Sequence, residues 1–149
     1  MQAFSHCSEA IDACARSRRF AVAYLRSDEK PRSMHIHDCL EMYYSMAGDR
    51  QFVVEDSLYD ATPGDLFVMN PFEAHRPVCA GDGAHERIVV CIDPAYLRAL
   101  STPQTDLSAC FYRRPPGFCH RARLDGSERA AFTLLLQRLD APQGFGSDL

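Results

Sequence analysis

The sequence has no long apolar run, and this absence excludes two kinds of protein. None of its apolar stretches approaches the length of about 20 residues that a helix needs to cross a bilayer. Residues 1–20 include acidic side chains and lack the apolar core of a secretory signal. We therefore expect a cytoplasmic protein that has no membrane partner.

The cysteines and the basic residues are scattered rather than grouped. There are seven cysteines at irregular spacings with no CxxC pair, which argues against a disulfide framework or a zinc finger and favours reduced thiols. The formal charge is −4, from 16 basic and 20 acidic residues, and no basic stripe follows the chain. Because phosphate contacts dominate nucleic-acid affinity, we do not expect this chain to bind DNA by itself.

Common catalytic motifs are also missing. The sequence contains no GxSxG, no P-loop, no GxGxxG and no HExxH. Each of these motifs places a nucleophile, a phosphate-binding loop or a pair of metal ligands at a fixed spacing. No serine hydrolase, nucleotide-dependent enzyme or HExxH metalloprotease is therefore indicated.

Short runs of strand-forming residues alternate with turn signals between Phe20 and Ile92, where no helical period is evident. Segments such as TPGD and AGDGA are typical of turns. Strands this short and closely spaced predict an all-β sandwich or barrel. The predicted strands are 20–26, 41–46, 51–56, 57–61, 66–70, 75–79 and 85–92.

Helices are predicted only after this region. The segment 93–100 starts with Asp as a possible N-cap and Pro at the first helical position. A second helix is predicted over 127–140, with Ser127 as its cap and an apolar stripe along one face. The stripe, which either packs on the barrel or pairs with another subunit, consists of Phe132, Leu135, Leu136 and Leu139.

The length of 149 residues fits one domain with a single core. We divide it into three segments. Residues 1–19 are an N-terminal arm, either a short helix or frayed. Residues 20–100 form the β-barrel. Residues 101–149 are a linker and a C-terminal helical segment, which is the candidate for dimerisation.

The segment HIHDCLEMYYSMAG carries three potential metal ligands, His35, His37 and Glu41. Their positions share parity, so one continuous strand would place all three on the same face. In a helix, His35 and His37 would point roughly 200° apart. His75 is a fourth candidate. Imidazole and carboxylate ligands suit Zn, Fe, Ni, Cu or Mn and do not choose among them.

These residues resemble the two cupin motifs. His35-x-His37-x3-Glu41-x6-Gly48 is similar to the first, and Pro63-Gly64-Asp65 followed by His75 is similar to the second. A narrower resemblance covers roughly residues 20 to 140. HIHDCLEMYYSMAGDRQFVVED, PGDLFVMNPFEAHRP and ERIVVCIDPAYLRAL, in this order, resemble the effector-sensing domain of AraC-family transcription regulators.

The resemblance implies a mainly β fold, a small cupin-type barrel or jelly roll followed by C-terminal helices. It implies that the four candidates either hold a divalent metal (Zn, Fe, Ni or Mn), bind an effector, or are hydrogen-bonded barrel residues. The sequence departs from the general cupin pattern at Glu29, where the motif has Gly, and at 71–75, which lacks PxG before the histidine. The second departure is normal for AraC-type sensors.

Other residues are weaker candidates. Tyr43 and Ser45 share the parity of Glu41, so they face the interior as ligand contacts or as core. Arg87 either points into the same cavity or pairs with a carboxylate at the rim. Cys39 has the same parity and either approaches the site as a thiol or, as we expect, packs in the core. We expect His85 to be exposed after its Gly-rich turn, and His120 shows no partner in the sequence.

Two functions remain open. The first is an AraC-type sensor that binds a small polar effector, with a sugar as one possibility, and forms a homodimer. The family reaches DNA through a C-terminal helix-turn-helix region, which no part of this sequence matches. Ligand binding would involve His35, His37, Glu41, Tyr43, His75 and Arg87. The alternative is a metal-dependent cupin enzyme, a dioxygenase or an isomerase.

Overall fold

The computed structural model describes residues 2–3, 6–27, 33–78 and 83–140. Within these ranges the chain forms nine strands and four helices. In chain order they are β1 (Gln2–Ala3), α1 (Cys7–Ser17), β2 (Phe20–Ser27), β3 (Leu40–Ala47), β4 (Arg50–Val54), β5 (Ser57–Ala61), β6 (Asp65–Met69), β7 (His75–Val78), β8 (His85–Ile92), α2 (Pro94–Leu100), α3 (Ala109–Tyr112), β9 (Arg121–Arg123) and α4 (Gly126–Asp140).

The strands form two sheets with the core between them. The larger sheet has the order β1-β2-β8-β3-β6-β9 and the smaller has the order β5-β4-β7. The ring of Phe52 on the smaller sheet lies 4.4 Å from the ring centroid of Tyr43 and 4.7 Å from that of Phe67, both on the larger sheet. The interior is therefore an aromatic core with polar residues of β3, β7 and β8 beside it.

The prediction of a mainly β fold followed by C-terminal helices is confirmed. Strands β2 to β8 and helix α2 lie within two residues of the predicted ranges, and Asp93 caps α2 through its side chain. The strands stay in two sheets, however, rather than closing into a barrel. Helix α1 packs on β2 and β8 and adds Ala10 and Cys14 to the core, so a helix fills interior space on that side.

The segment after residue 100 contributes a strand that the sequence did not suggest. Strand β9 pairs with β6, and the guanidinium of Arg123 donates to Asp65 over 2.9 Å. The strand is short and polar, so alternation gives no signal for it. The ion pair and the backbone pairing with β6 hold this segment in a strand, although its own sequence shows no strand pattern.

Helix α4 covers the outer face of the larger sheet. Leu136 is buried there, and Phe132 lies with its ring centroid 5.0 Å from that of Tyr44. The predicted cap of this helix is wrong. The Asp125 side chain accepts from the backbone N–H of Glu128, and the Asp125 N–H donates to the Glu128 carboxylate. This capping box lies two residues before the predicted cap at Ser127.

Two further features position the site. Gly48 follows β3 with φ of +79°, and a Cβ there would lie 2.8 Å from the carbonyl oxygen of Ala84, so this turn requires glycine. Among the described residues, none of the helices has the length and apolar character needed to cross a bilayer.

Candidate functional site

The four sequence-predicted metal ligands lie together between the sheets. Their potential ligand atoms are all within 4.8 Å of one another, although they come from separate parts of the chain. The Glu41 and His75 side chains are buried, and His37 is 9% exposed. We call these residues the His/Glu cluster: His35, His37, Glu41 and His75.

Backbone pairing brings the histidines together. Strand β3 begins only at Leu40, so the continuous strand that would place all three residues of the first motif on one face does not form. Instead, His35 and His75 form an antiparallel bridge in which each N–H donates to the carbonyl of the other over 3.1 Å. Phe72 N–H donates to the His37 carbonyl over 2.8 Å. These hydrogen bonds to β7 and to the loop before it, rather than a continuous strand, bring the His35 and His37 side chains to the cluster.

One carboxylate oxygen is the centre of the cluster. Glu41 Oε2 lies 2.9 Å from His37 Nε2 and 3.5 Å from His75 Nε2. On the far side of each ring, Nδ1 faces a backbone carbonyl, at 3.1 Å from Cys39 for His37 and at 2.8 Å from Glu73 for His75. A carbonyl oxygen only accepts, so both Nδ1 atoms donate, and the Nε2 atoms are left to face Glu41.

The Nε2 atoms of His35 and His75 are buried and have no hydrogen-bond partner in the described part of the chain. Buried polar atoms are normally paired, so two orphaned nitrogens beside one carboxylate are unusual. The carbonyl-bound Nδ1 atom of His75 leaves its Nε2 with a free lone pair whenever the ring is neutral. Free Nε2 lone pairs beside a buried carboxylate are the arrangement that a cation would satisfy.

The charges of the cluster favour the same occupant. Burial alone would raise the pKa of Glu41, but the hydrogen bond with His37 and the positive charge of His37 and His75 hold this pKa well below its usual range. Burial and the neighbouring His75 lower the pKa of His35 to about 4. Burial opposes protonation of His75, but the Glu41 carboxylate raises its pKa. At neutral pH the cluster thus contains an anionic carboxylate and a neutral His35 imidazole.

The donor set fits a divalent metal. Imidazole and carboxylate ligands bind such ions at about 2.0 to 2.2 Å, which puts neighbouring ligand atoms about 3 Å apart. The 2.9 Å between His37 Nε2 and Glu41 Oε2 agrees with this spacing. Carbonyl bonds to the Nδ1 atoms are the orienting contacts that metal-bound histidines usually make. His35, His37, Glu41 and His75 could therefore hold Zn, Fe, Ni or Mn.

A second polar group lies on the same inner surface. Tyr43 is buried, and its hydroxyl lies 2.9 Å from His85 Nε2. Ser45 is fully buried, and its Oγ has no hydrogen-bond partner among the described residues. Arg87 pairs with Ser45 in the register of β3 and β8, so it also faces inward and is half-buried. Burial raises the pKa of Tyr43, and the positive charge of Arg87 opposes this rise.

Two histidines differ from expectation. His85 is 2% exposed rather than exposed, because it begins β8 on the same face as Arg87. Burial and the nearby Arg87 and Arg50 lower its pKa to about 4. Strand parity with Arg87 was the signal that could have found it. His120, which showed no partner in the sequence, lies 3.4 Å from the Tyr59 hydroxyl and 3.2 Å from Arg114.

Two cysteines adjoin the cluster on different sides. Cys39 Sγ lies 3.2 Å from His37 Nδ1, which is the ring edge that faces away from Glu41. Cys7, at the start of α1, was missed by the sequence analysis, and its Sγ lies 4.0 Å from Glu41 Oε2. Nothing in the sequence near residue 7 pointed to the cluster, because the contact depends on how α1 packs.

The fold is that of a cupin-like domain. A family model described as the AraC-like ligand binding domain matches residues 19–149, and the chain belongs to that family. The resemblance seen in the sequence is thereby confirmed. No curated protein matches this chain.

Several solved structures resemble parts of the chain. DMSP lyase DddQ from Ruegeria pomeroyi DSS-3 is 20% identical, with a TM-score of 0.45 over 50% of this chain and 38% of that one. A Cupin 2 conserved barrel domain protein from Salinispora arenicola CNS-205 is 20% identical, with a TM-score of 0.48 over 54% and 69%. A predicted oxalate decarboxylase from Thermotoga maritima is 21% identical, with a TM-score of 0.47 over 52% and 70%. The chain thus spans well under half of the lyase, and similarities at this level say nothing about its activity.

Proposed function

We propose that this chain is the effector-sensing and dimerisation module of an AraC-type transcription regulator. The observation that carries the proposal is the His/Glu cluster, in which two buried Nε2 atoms lie beside one anionic carboxylate and have no hydrogen-bond partner among the described residues. The membership of the chain in a ligand-binding family supports the same conclusion. A buried polar group without a partner costs stability, so its place in a ligand-binding domain is explained best by a ligand that satisfies it.

The ligand is a small polar effector, and a sugar is one candidate. It enters the space between the sheets and contacts inward-facing polar groups. A divalent metal held by the His/Glu cluster would supply a Lewis-acidic point for the oxygen atoms of the effector. The proposed contacts are His35, His37, Glu41, Tyr43, His75 and Arg87.

Signal output depends on the C-terminal helix. Effector binding favours one arrangement of the helices that flank the sheets, and this bias passes to a helix-turn-helix region outside residues 1–149. Helix α4 packs on the sheet through Phe132 and Leu136 and presents the other leucines to solvent. The exposed residues, at 50%, 58% and 54%, are Leu134, Leu135 and Leu139. We propose that this surface pairs with a second copy of the chain.

A thermal-stability screen tests the sensor role. Small sugars, polyols and carboxylates are added to the chain with and without Zn(II), and the unfolding temperature is recorded. A ligand at 100 times its Kd stabilises by about 2.7 kcal/mol, which raises the temperature by several degrees. The same ligand should have no effect on Glu41→Gln. Stabilisation that survives this substitution would place the effector elsewhere.

Sedimentation velocity tests the dimer. Leu135→Glu should shift the chain from dimer to monomer, because a charge would be buried in the proposed interface. Leu58→Glu is the matched control, since Leu58 is 59% exposed on β5, away from α4. Equal effects of the two substitutions, or a monomeric parent chain, would contradict the proposed interface.

The second candidate is a metal-dependent cupin enzyme, a dioxygenase or an isomerase. Three imidazoles and one carboxylate with no other role in the described chain favour it. This candidate predicts turnover that requires stoichiometric metal and is lost in His37→Ala. The sensor predicts effector-dependent stabilisation with no change in the effector, which product analysis by mass spectrometry would show.

A further inference from the structure

We propose that helix α1 supplies a fifth ligand to the metal site, the thiol of Cys7. The inference rests on the proposed metal role of the His/Glu cluster. With the metal bound, three imidazoles, the Glu41 carboxylate and the Cys7 thiolate would share one ion. The site would then prefer ions that accept sulfur, such as Zn(II), Fe(II) or Co(II), over Mn(II) or Mg(II).

The geometry points to Cys7 through a shared atom. Its Sγ lies 4.0 Å from Glu41 Oε2, the same oxygen that His37 and His75 approach. Two neighbouring ligands at about 2.3 Å and 2.1 Å from one ion are about 3 to 4 Å apart. Cys7 lies outside the group of four whose ligand atoms are all within 4.8 Å of one another, so its thiol must move from beside Glu41 toward the imidazoles to share the ion.

Packing of α1 fixes the position of this thiol. Cys7, Ala10 and Cys14 recur at helical spacing and face the core, and the last two are no more than 1% exposed. Small side chains let the helix approach β2 and β8 closely. The helix, rather than a loose tail, thus delivers Cys7 to the His/Glu cluster.

The other thiols near the cluster are placed differently. Cys39 Sγ contacts His37 Nδ1, on the ring edge opposite the proposed ion. Cys14 Sγ is directed to the carbonyl of Arg19 at 3.8 Å. Cys91 is opposite Glu41 in the register of β3 and β8 and fully buried, so it serves as a further comparison.

Metal binding at this thiol is a proton exchange. The S–H bond of Cys7 breaks, a metal–sulfur bond forms, and one proton leaves to solvent, as in other thiolate sites. Burial and the negative charge of Glu41 raise the pKa of this thiol, while Arg87 opposes the rise. The thiol is therefore protonated before the ion arrives, and no oxidant or reductant is involved.

Cobalt(II) absorption tests the inference on the whole chain. Co(II) bound to a thiolate shows a charge-transfer band in the near ultraviolet, which imidazole and carboxylate ligands do not produce. We expect this band in the parent chain, its loss in Cys7→Ser, and its retention in Cys39→Ser, Cys91→Ser and Cys110→Ser, the last an exposed control. Circular dichroism of each variant shows whether it is folded.

The outcomes separate this inference from the metal role itself. Co(II) that binds the parent chain without the band overturns only the Cys7 assignment, and so does a band that Cys7→Ser retains. Absence of Co(II) binding overturns both. As a second readout, Zn(II) affinity should fall at least about tenfold in Cys7→Ser, whereas Mn(II) affinity should stay the same. Equal losses for both ions would mean that Cys7 acts only through packing.

Discussion

Two groups in this molecule each combine a glutamate with histidine, and they differ in how the glutamate is paired. In the His/Glu cluster, Glu41 is buried among imidazoles, and two of these have Nε2 atoms with no hydrogen-bond partner among the described residues. In the other group, Glu73 contacts both terminal nitrogens of Arg114, accepts from Asn70 N–H at 2.7 Å and lies 3.4 Å from His120. We call the second group the Glu73 cluster: Glu73, Arg114, His120 and Tyr59.

The difference shows that residue type alone does not mark a site. A guanidinium and a backbone N–H satisfy Glu73, so the Glu73 cluster is complete without a ligand. Among the described hydrogen bonds and ion pairs, Glu41 contacts imidazoles and the Cys7 thiol, and we propose that a cation completes its cluster. The two clusters are also in contact, because the Glu73 carbonyl accepts a hydrogen bond from His75 Nδ1 and orients that ring.

The largest expected effect is a loss of Zn(II) affinity when the glutamate of the His/Glu cluster is replaced. Glu41→Gln removes the central charge of the His/Glu cluster, so Zn(II) affinity should fall on the order of 100-fold or more. Titration calorimetry with a competing chelator measures it. Glu73→Gln is the matched control and should bind Zn(II) within a few-fold of the parent. Similar losses of Zn(II) affinity in both variants would show that the His/Glu cluster is not the specific metal site.

Glu73→Gln, which should leave Zn(II) affinity nearly unchanged, should lower the stability of the fold. Glu73→Gln leaves Arg114 without its carboxylate and weakens the anchor of the segment before β9. The free energy of unfolding should fall by about 1 to 3 kcal/mol, the usual cost of breaking a partly buried charged hydrogen bond. Urea unfolding of the metal-free chain measures this change. A variant as stable as the parent would mean that the Glu73 cluster does not anchor the segment.

Acid should erase that stability difference. Burial favours protonated Glu73, but hydrogen bonds from Arg114 and Asn70 outweigh it and hold the pKa of Glu73 below its usual range. A carboxyl with a lowered folded-state pKa stabilises above its unfolded value of about 4.3 and loses this contribution as the pH falls through the folded value. The gap between the parent and Glu73→Gln should be full above about pH 5 and close in stronger acid. A gap that does not change with pH would exclude the charge of Glu73 as its cause.

The smallest effect compares one histidine from each cluster. His120→Gln should cost less than about 1 kcal/mol of unfolding free energy, because Arg114 still satisfies Glu73. It should leave Zn(II) binding unchanged, whereas His75→Gln should weaken binding strongly. Both variants keep a polar side chain of similar length, so a shared result would point to packing rather than to ligation.

Much of this arrangement follows from the sequence, and the exceptions have physical reasons. Strand alternation and turn residues predicted β2 to β8, and the two motifs predicted the residues that meet in the His/Glu cluster. Alternation failed between His35 and Leu40, because bonds to β7 replace a continuous strand. The burial of His85 follows the strand parity that it shares with Arg87, but the contact of Cys7 with Glu41 depends on tertiary packing, which local patterns do not encode. Strand β9 depends on an ion pair across 58 residues.

We propose that the Nε2 atoms of the His/Glu cluster converge on one metal ion. Anomalous diffraction from crystals grown with Zn(II) is the decisive experiment. We expect one zinc peak per chain at bonding distance from Glu41 and from the Nε2 atoms of His35, His37 and His75. A cluster without a peak at saturating Zn(II), or one in which ordered protein or water satisfies those nitrogens instead, would contradict it.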